Sequence, residues 1–117
     1  MAIWTLYHNP QCSKSREALK LIESSGVTFT VVEYLKTPLT REELRLLIHN
    51  LKSPLSELVR VKEAEFQENP FDINSEELVI EHLAKTPRLL ERPLLWGPQG
   101  VVIGRPTERI TEALGLN

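Results

Sequence analysis

The order of apolar and polar positions along the chain predicts alternating strands and helices in its first third. Residues 3–7 form a short apolar run with β-branched and aromatic side chains, which is typical of a buried strand. Residues 8–11 end this run. A helix is expected at residues 13–25, because its apolar positions fall on one face and Gly26 follows as a C-cap glycine. Residues 29–34 predict a second strand.

The middle of the chain, about residues 40–85, predicts only helices. Thr40 and Glu43 have the spacing of a capping box, in which each side chain accepts a hydrogen bond from a free backbone N–H of the helix start. Apolar residues then recur at helical spacing, at Leu44, Leu47, Ile48 and Leu51. Three further helical segments are expected at residues 53–60, 62–67 and 75–85.

The last third of the chain predicts a β-hairpin and a closing helix. Two apolar runs, residues 94–96 and 101–103, flank the turn sequence Gly-Pro-Gln-Gly. A final helix is expected from Pro106 to Leu114, before Gly115.

These elements together predict the fold class α/β. A β-α-β unit implies two parallel strands joined by a right-handed crossover, and the closing hairpin adds two antiparallel strands. We therefore expect one domain over residues 1–117, with a mixed four-stranded sheet covered by helices and a helical insertion at about residues 40–85.

Composition narrows the class of protein. Of 117 residues, 14 are basic and 16 are acidic, so the net charge is −2 and binding to nucleic acid through bulk positive charge is not expected. No run approaches the roughly 18 apolar residues of a membrane helix. The first residues lack the basic start and apolar core of a signal peptide. We expect a cytoplasmic protein with no membrane partner, and a monomer.

The single cysteine, Cys12, is the strongest candidate for chemistry. It lies between the first strand and the first helix, where free N–H groups and the helix dipole favour an anion. Its pKa should therefore fall below the value of about 8.5 for a free thiol. Ser13, Lys14, Ser15 and Arg16 follow it with hydroxyl donors and two positive charges. His8 would favour the thiolate as an imidazolium, or would only hydrogen-bond the backbone at a strand end.

Other charged residues leave two interpretations open. Arginine grips oxyanions well, and Arg60, Arg92 and Arg105 each lie next to a predicted element end, although such arginines are more often solvated. The acidic residues Glu57, Glu63, Glu65 and Glu68 are expected on a solvated helix face.

The three histidines have no metal-ligand spacing, and no phosphate-binding loop or dinucleotide motif is present, so neither a metal nor a bound cofactor is expected.

The segment from His8 to Arg16 resembles the active-site segment of the ArsC family of arsenate reductases, the glutaredoxin-coupled kind. The resemblance runs from Tyr7 to Leu114 and includes four further motifs, at residues 34–38, 58–60, 91–93 and 104–106. The Cys-Ser-Lys-Ser sequence at residues 12–15 departs from the Cys-Gly-Thr-Ser of the best-characterised members and is closer to another branch.

The resemblance implies a thioredoxin-like fold and a role for each site residue. Cys12 would be the nucleophile, and His8 would lower its pKa. The substrate-binding residues would be Ser15, Arg60, Arg92 and Arg105. The bond between Arg92 and Pro93 is expected to be cis.

The implied reaction is the reduction of arsenate to arsenite through an adduct on Cys12. Because the chain has no second cysteine, an external thiol must resolve that adduct, which implies glutathione as co-substrate and glutaredoxin as partner. Two alternatives stay open. One is a glutathione-dependent thiol–disulfide reductase. The other is a regulator similar to Spx that binds RNA polymerase, although Ser15 stands where many such regulators have a second cysteine.

Overall fold

The structure, a computed structural model, describes residues 3–115 and contains one mixed sheet of four strands. The strands are β1 (Trp4–Tyr7), β2 (Phe29–Val32), β3 (Leu94–Gly97) and β4 (Gly100–Ile103). Their order in the sheet is β2-β1-β3-β4, with β1 parallel to β2 and the other two pairs antiparallel. The predicted α/β class and mixed four-stranded sheet are confirmed. The second strand ends at Val32, two residues earlier than predicted.

The helices follow the predicted order. They are α1 (Ser13–Ser25), α2 (Arg41–His49), α3 (Ala64–Glu68), α4 (Glu76–Lys85) and α5 (Glu108–Leu114). Two 3₁₀ turns, Leu55–Leu58 and Pro87–Leu89, join them, and the second was not predicted. Helix α1 ends at Gly26 with φ of 80°, and both hydrogen bonds of the predicted Thr40–Glu43 capping box are present. Within residues 3–115, no helix is long and apolar enough to cross a membrane.

The sheet separates two apolar clusters because successive strand residues point to opposite faces. Leu6 of β1 packs with buried residues of α1 and α5 on one face. Tyr7, its neighbour, belongs to a larger cluster on the other face, together with residues of α2 and α4. The helices between β2 and β3 therefore form a second layer on the sheet.

A short backbone bridge joins this helical layer to the segment before β3. Val59 and Leu90 form an isolated antiparallel bridge. The Arg60 N–H donates to the Leu89 carbonyl at 2.8 Å, and the Glu91 N–H donates to the Leu58 carbonyl at 2.8 Å. Arg60 is thereby placed beside Glu91 although 31 residues separate them in the chain.

We predict that Leu95→Ala lowers the free energy of unfolding by about 2–5 kcal/mol, because it removes a fully buried side chain of β3 that packs with Leu6 and with helices α1 and α5. Urea unfolding followed by circular dichroism measures this. Leu46→Ala is the matched control: Leu46 is 60% exposed, and its truncation should change stability by less than about 0.5 kcal/mol. Equal losses for both variants would contradict this assignment of the core.

Candidate active site

Cys12 is held at the junction of β1 and α1 by a compact turn. Its N–H donates to the Asn9 carbonyl at 3.0 Å, and the Gln11 N–H donates to Asn9 Oδ1 at 3.0 Å. Cys12 is the N-cap residue of α1, and its carbonyl accepts the N–H of Arg16. Both the turn and the helix start therefore fix the backbone of Cys12.

The surroundings of the Cys12 thiol favour its ionised form. Burial opposes ionisation, but the N–H group of Ser15, the hydrogen bond and charge of Arg92 and the N–H group of Lys14 outweigh it, so the pKa is lowered. In addition, Arg105 Nη2 donates to Cys12 Sγ at 3.3 Å.

The structure brings Arg60, Arg92 and Arg105 into one network from three separate segments. Arg105 Nε donates to the Arg92 carbonyl at 2.7 Å, which links the two arginines that contact the thiol. The side chains of Arg60 and Arg92 are only 21% and 17% exposed. The solvated-surface interpretation left open by the sequence therefore does not hold for these two. The Arg92–Pro93 peptide bond is cis, as expected.

Two carboxylates hold this network together. Glu91 Oε1 accepts from Arg60 Nη1 at 2.9 Å and lies 3.4 Å from Arg105 Nε. Glu63 Oε1 accepts from Arg60 Nε at 3.1 Å and lies 3.9 Å from Arg92 Nη1. The expectation that Glu63 lies on a solvated helix face is wrong: its side chain is 18% exposed, because it is drawn in by the guanidinium groups.

His8 and Ser15 are buried beneath the thiol turn and bind each other. His8 Nδ1 lies 2.6 Å from Ser15 Oγ, which also accepts the Asn9 N–H at 3.0 Å. Burial lowers the pKa of His8, with Glu33 opposing and Arg16 adding to this effect, so the imidazole is neutral at neutral pH. The geometry therefore assigns His8 to the support of the turn, and the Ser15 backbone N–H, not its hydroxyl, faces the sulfur.

Tyr34 is a residue of the site that was not among the site residues predicted from the sequence. It is 1% exposed, and burial raises its pKa to about 12, while the charges of Arg92 and Arg60 oppose this and those of Cys12 and Glu91 add to it. These influences place its hydroxyl among the charged groups of the site. Two signals could have found it: it lies two residues after β2, and it begins the family motif at residues 34–38.

A cavity of about 330 Å³ opens beside the thiol turn. It is lined by Asn9, Gln11, Tyr34, Leu35, Glu63, Arg88 and Arg92. Arg92 Nε is buried and has no hydrogen-bond partner among residues 3–115, so it is an unsatisfied donor in a side chain that lines the cavity. Across the same residues, no group of three or more His, Cys, Asp or Glu side chains could hold a metal ion. The site thus combines a thiolate with guanidinium donors.

Known proteins are similar to this chain over nearly its whole length. The model of the ArsC family matches residues 7–113. An uncharacterized Escherichia coli K12 protein, YfgD, is 42% identical over 113 residues, which cover 94% of this chain and 95% of that protein. The arsenate reductase of E. coli K12 is 35% identical over 112 residues, covering 94% of this chain and 79% of that enzyme.

Solved structures show the same architecture. The arsenate reductase from Vibrio cholerae superposes with a TM-score of 0.83 at 34% sequence identity. The match covers 94% of this chain and 96% of that one. The sheet, the helical insertion and the segments that carry the site residues therefore lie within the part of the chain that is similar to that enzyme.

We predict that Arg92→Met raises the pKa of Cys12, because it removes a hydrogen bond and a positive charge that favour the thiolate. The pH dependence of alkylation by iodoacetamide reports that pKa, since only the thiolate reacts. The rate at neutral pH should fall roughly tenfold. Arg109→Met is the control, because Arg109 pairs with Glu57 instead of the thiol. An unchanged pH profile for Arg92→Met would contradict the assignment.

Ser15→Ala is expected to lower the free energy of unfolding by about 1–3 kcal/mol, because it leaves a buried Asn9 N–H and the His8 ring without their partner. Ser13→Ala, at an exposed position of the same helix turn, should have little effect. Urea unfolding of both variants makes the comparison. A Ser15→Ala protein as stable as wild type would show that the hydroxyl does not support the turn.

Proposed function

The chain belongs to the ArsC family, and we propose that it is an arsenate reductase in which Cys12 is the nucleophile. The family resemblance indicated by the motifs is confirmed by the match over residues 7–113. The homologues named arsenate reductases support an oxidoreductase. The oxyanion would bind to the guanidinium groups of Arg60, Arg92 and Arg105, which have the planar, bidentate donors that such an anion requires.

The observation that carries this proposal is the contact between Arg105 Nη2 and Cys12 Sγ at 3.3 Å. It places a cationic donor directly beside the nucleophile, and Arg105 is in turn linked to Arg92. A tetrahedral oxyanion bound by these donors would bring its central atom within reach of the sulfur. Donors that are fixed before the reaction stabilise developing negative charge without reorganisation.

In the first step, the Cys12 thiolate attacks the arsenic of arsenate. A sulfur–arsenic bond forms, an arsenic–oxygen bond breaks, and the oxygen leaves as water after taking up protons from solution. Arsenic remains pentavalent in this adduct. The guanidinium groups would neutralise the charge on the remaining oxygens.

The two electrons that reduce arsenic come from two external thiols, which we propose are glutathione and then a thiol of glutaredoxin. Glutathione would displace a second oxygen as water and form its own sulfur–arsenic bond. Attack of the glutaredoxin thiol on the glutathione sulfur makes a disulfide and leaves two electrons on arsenic. Water then cleaves the bond to Cys12 and releases arsenite. The chain itself contains one cysteine, so it cannot supply the second thiol.

The size and lining of the cavity favour a second candidate, a glutathione-dependent thiol–disulfide reductase. A volume of about 330 Å³ exceeds what a tetrahedral oxyanion fills, and the amide side chains of Asn9 and Gln11 line it together with Leu35. Such a space suits a thiol-bearing peptide beside Cys12. This activity would use the same thiolate but would not depend on three arginines.

We predict arsenate-dependent oxidation of NADPH when the protein is coupled to glutathione, glutaredoxin and glutathione reductase. Cys12→Ser should lose all turnover. Arg92→Ala should lower kcat/KM for arsenate by about 10²-fold or more, because it removes an oxyanion donor. Arg109→Ala, which removes an arginine paired with Glu57 outside the site, serves as the matched control and should retain activity.

Retained turnover in Cys12→Ser would overturn the assignment of the nucleophile. If wild type turns over a mixed disulfide of glutathione but not arsenate, the second candidate replaces the first. If it turns over neither, while a known arsenate reductase is active in the same coupled system, a regulatory role becomes the better explanation.

A further inference from the structure

We propose that Glu63 limits the affinity of the site for oxyanions, because its carboxylate occupies part of the oxyanion site and competes with the incoming anion. Glu91, which carries the same charge in the same network, would instead hold the arginines in place. This inference rests on the proposed function, because it assigns the arginines to oxyanion binding.

Glu63 lies on the cavity side of the arginine network. Its two oxygens contact three guanidinium groups: Oε1 is 3.1 Å from Arg60 Nε and 3.9 Å from Arg92 Nη1, and Oε2 is 3.4 Å from Arg88 Nη2. It lines the same cavity as Arg92. Because these guanidinium N–H groups are bound to the Glu63 carboxylate, they are not available to an oxyanion. The contact with Arg92 is also the longest of the three, so this guanidinium is only loosely engaged.

Glu91 pairs with Arg60, which it shares with Glu63, and with Arg105. It lines a separate depression with Arg60 and Arg105. Its Oε1 accepts from Arg60 Nη1 at 2.9 Å and from the backbone N–H of Arg92 at 3.0 Å. Its backbone is fixed by the hydrogen bond to the Leu58 carbonyl. This carboxylate therefore orients Arg60 and the backbone of Arg92, and it does not line the cavity beside the thiol turn.

The two carboxylates also set the charge of the site. Arg60, Arg92 and Arg105 against Glu63 and Glu91 leave one net positive charge, before Arg88 and the thiolate are counted. An anion that binds by charge alone must displace Glu63 to reach Arg60 and the unsatisfied Nε of Arg92. Every oxyanion pays this cost of displacing Glu63. Only an oxyanion that reacts with Cys12 then becomes covalently attached to the protein. Competition of this kind would lower the occupancy of the site by arsenate, phosphate and sulfate alike.

Glu63 can leave the arginines without disturbing the sheet. It is the N-cap residue of α3, directly before Ala64, and its side chain makes no capping hydrogen bond. Rotation of this side chain would cost the contacts with Arg60 and Arg88 but would break no backbone pairing. Its carboxyl pKa is lowered because the hydrogen bond and charge of Arg60, with Arg88 and Arg92, outweigh burial, so it is an anion at neutral pH.

The test is protection of Cys12 from iodoacetamide by arsenate, phosphate and sulfate, measured on the full chain at one neutral pH. The rate for each variant is divided by its own rate without anion, so a change in thiol reactivity cancels. For Glu63→Gln, we expect half-protection at an about tenfold lower concentration of each of the three anions. For Glu91→Gln, we expect an about tenfold higher concentration, because Arg60 and Arg105 lose their common partner.

Glu65→Gln is the matched control. It removes one negative charge from the same insertion, but Glu65 contacts Arg88 Nε at 3.5 Å and none of the three proposed oxyanion ligands. It should change half-protection by less than about twofold. Circular dichroism melts of all variants check that each is folded.

Opposite shifts for Glu63→Gln and Glu91→Gln would support the proposal. Equal shifts in the same direction would overturn it, since they would show a general effect of charge, and so would unchanged or weaker protection in Glu63→Gln. The readout needs no turnover. A protein that fails to reduce arsenate yet shows the opposite shifts would retain this inference while losing the proposed reaction.

Discussion

The site depends on three like-charged guanidinium groups held close together and largely out of solvent. Three partly buried cations repel one another and lose hydration, so they stay together only where anions offset both costs. Glu63 and Glu91 supply that compensation, and Arg60 binds both of them. The remaining positive charge is directed at Cys12, whose thiol pKa is lowered. The reactivity of the sulfur and the capture of an anion therefore depend on the same set of ion pairs.

The fold brings these groups together because four segments of the chain meet at one corner of the sheet. Cys12 follows β1, and Arg105 follows β4 at the start of the segment that leads to α5. Arg92 directly precedes the cis peptide bond before β3. Arg60 comes from the insertion and reaches the corner through the bridge between Val59 and Leu90. The helical insertion thus contributes a ligand to the site as well as covering one face of the sheet.

Much of the turn that holds the thiol is buried polar structure. His8, Asn9 and Ser15 are buried and hydrogen-bond one another, so buried contacts contribute to the position of Cys12. A neutral His8 suits this role, because burial disfavours an imidazolium there, with Arg16 adding to this effect and Glu33 opposing it. Residues that belong to a catalytic motif can thus serve to hold the backbone of the site in position.

The sequence by itself determined the features that depend on neighbours in the chain. These include the order of strands and helices, the Thr40–Glu43 capping box, the C-cap at Gly26 and the position of Cys12 at a helix start, because each follows from local periodicity, capping and backbone geometry. It also supplied the family motifs, which identified the three arginines as candidates. The 3₁₀ turn at Pro87–Leu89 and the early end of β2 escaped it, because tertiary packing sets such boundaries.

Only the tertiary structure decided which charges meet. Cys12 and Arg105 are 93 residues apart, and Arg60 and Glu91 are 31 apart, so no local pattern could pair them. Glu63 carries the same sequence signal as the exposed acidic residues around it, yet it is drawn into the site. Ser15 and His8 turn toward each other for the same reason. Hydrogen bonds and ion pairs act over a few ångströms in space, and the fold alone sets those distances.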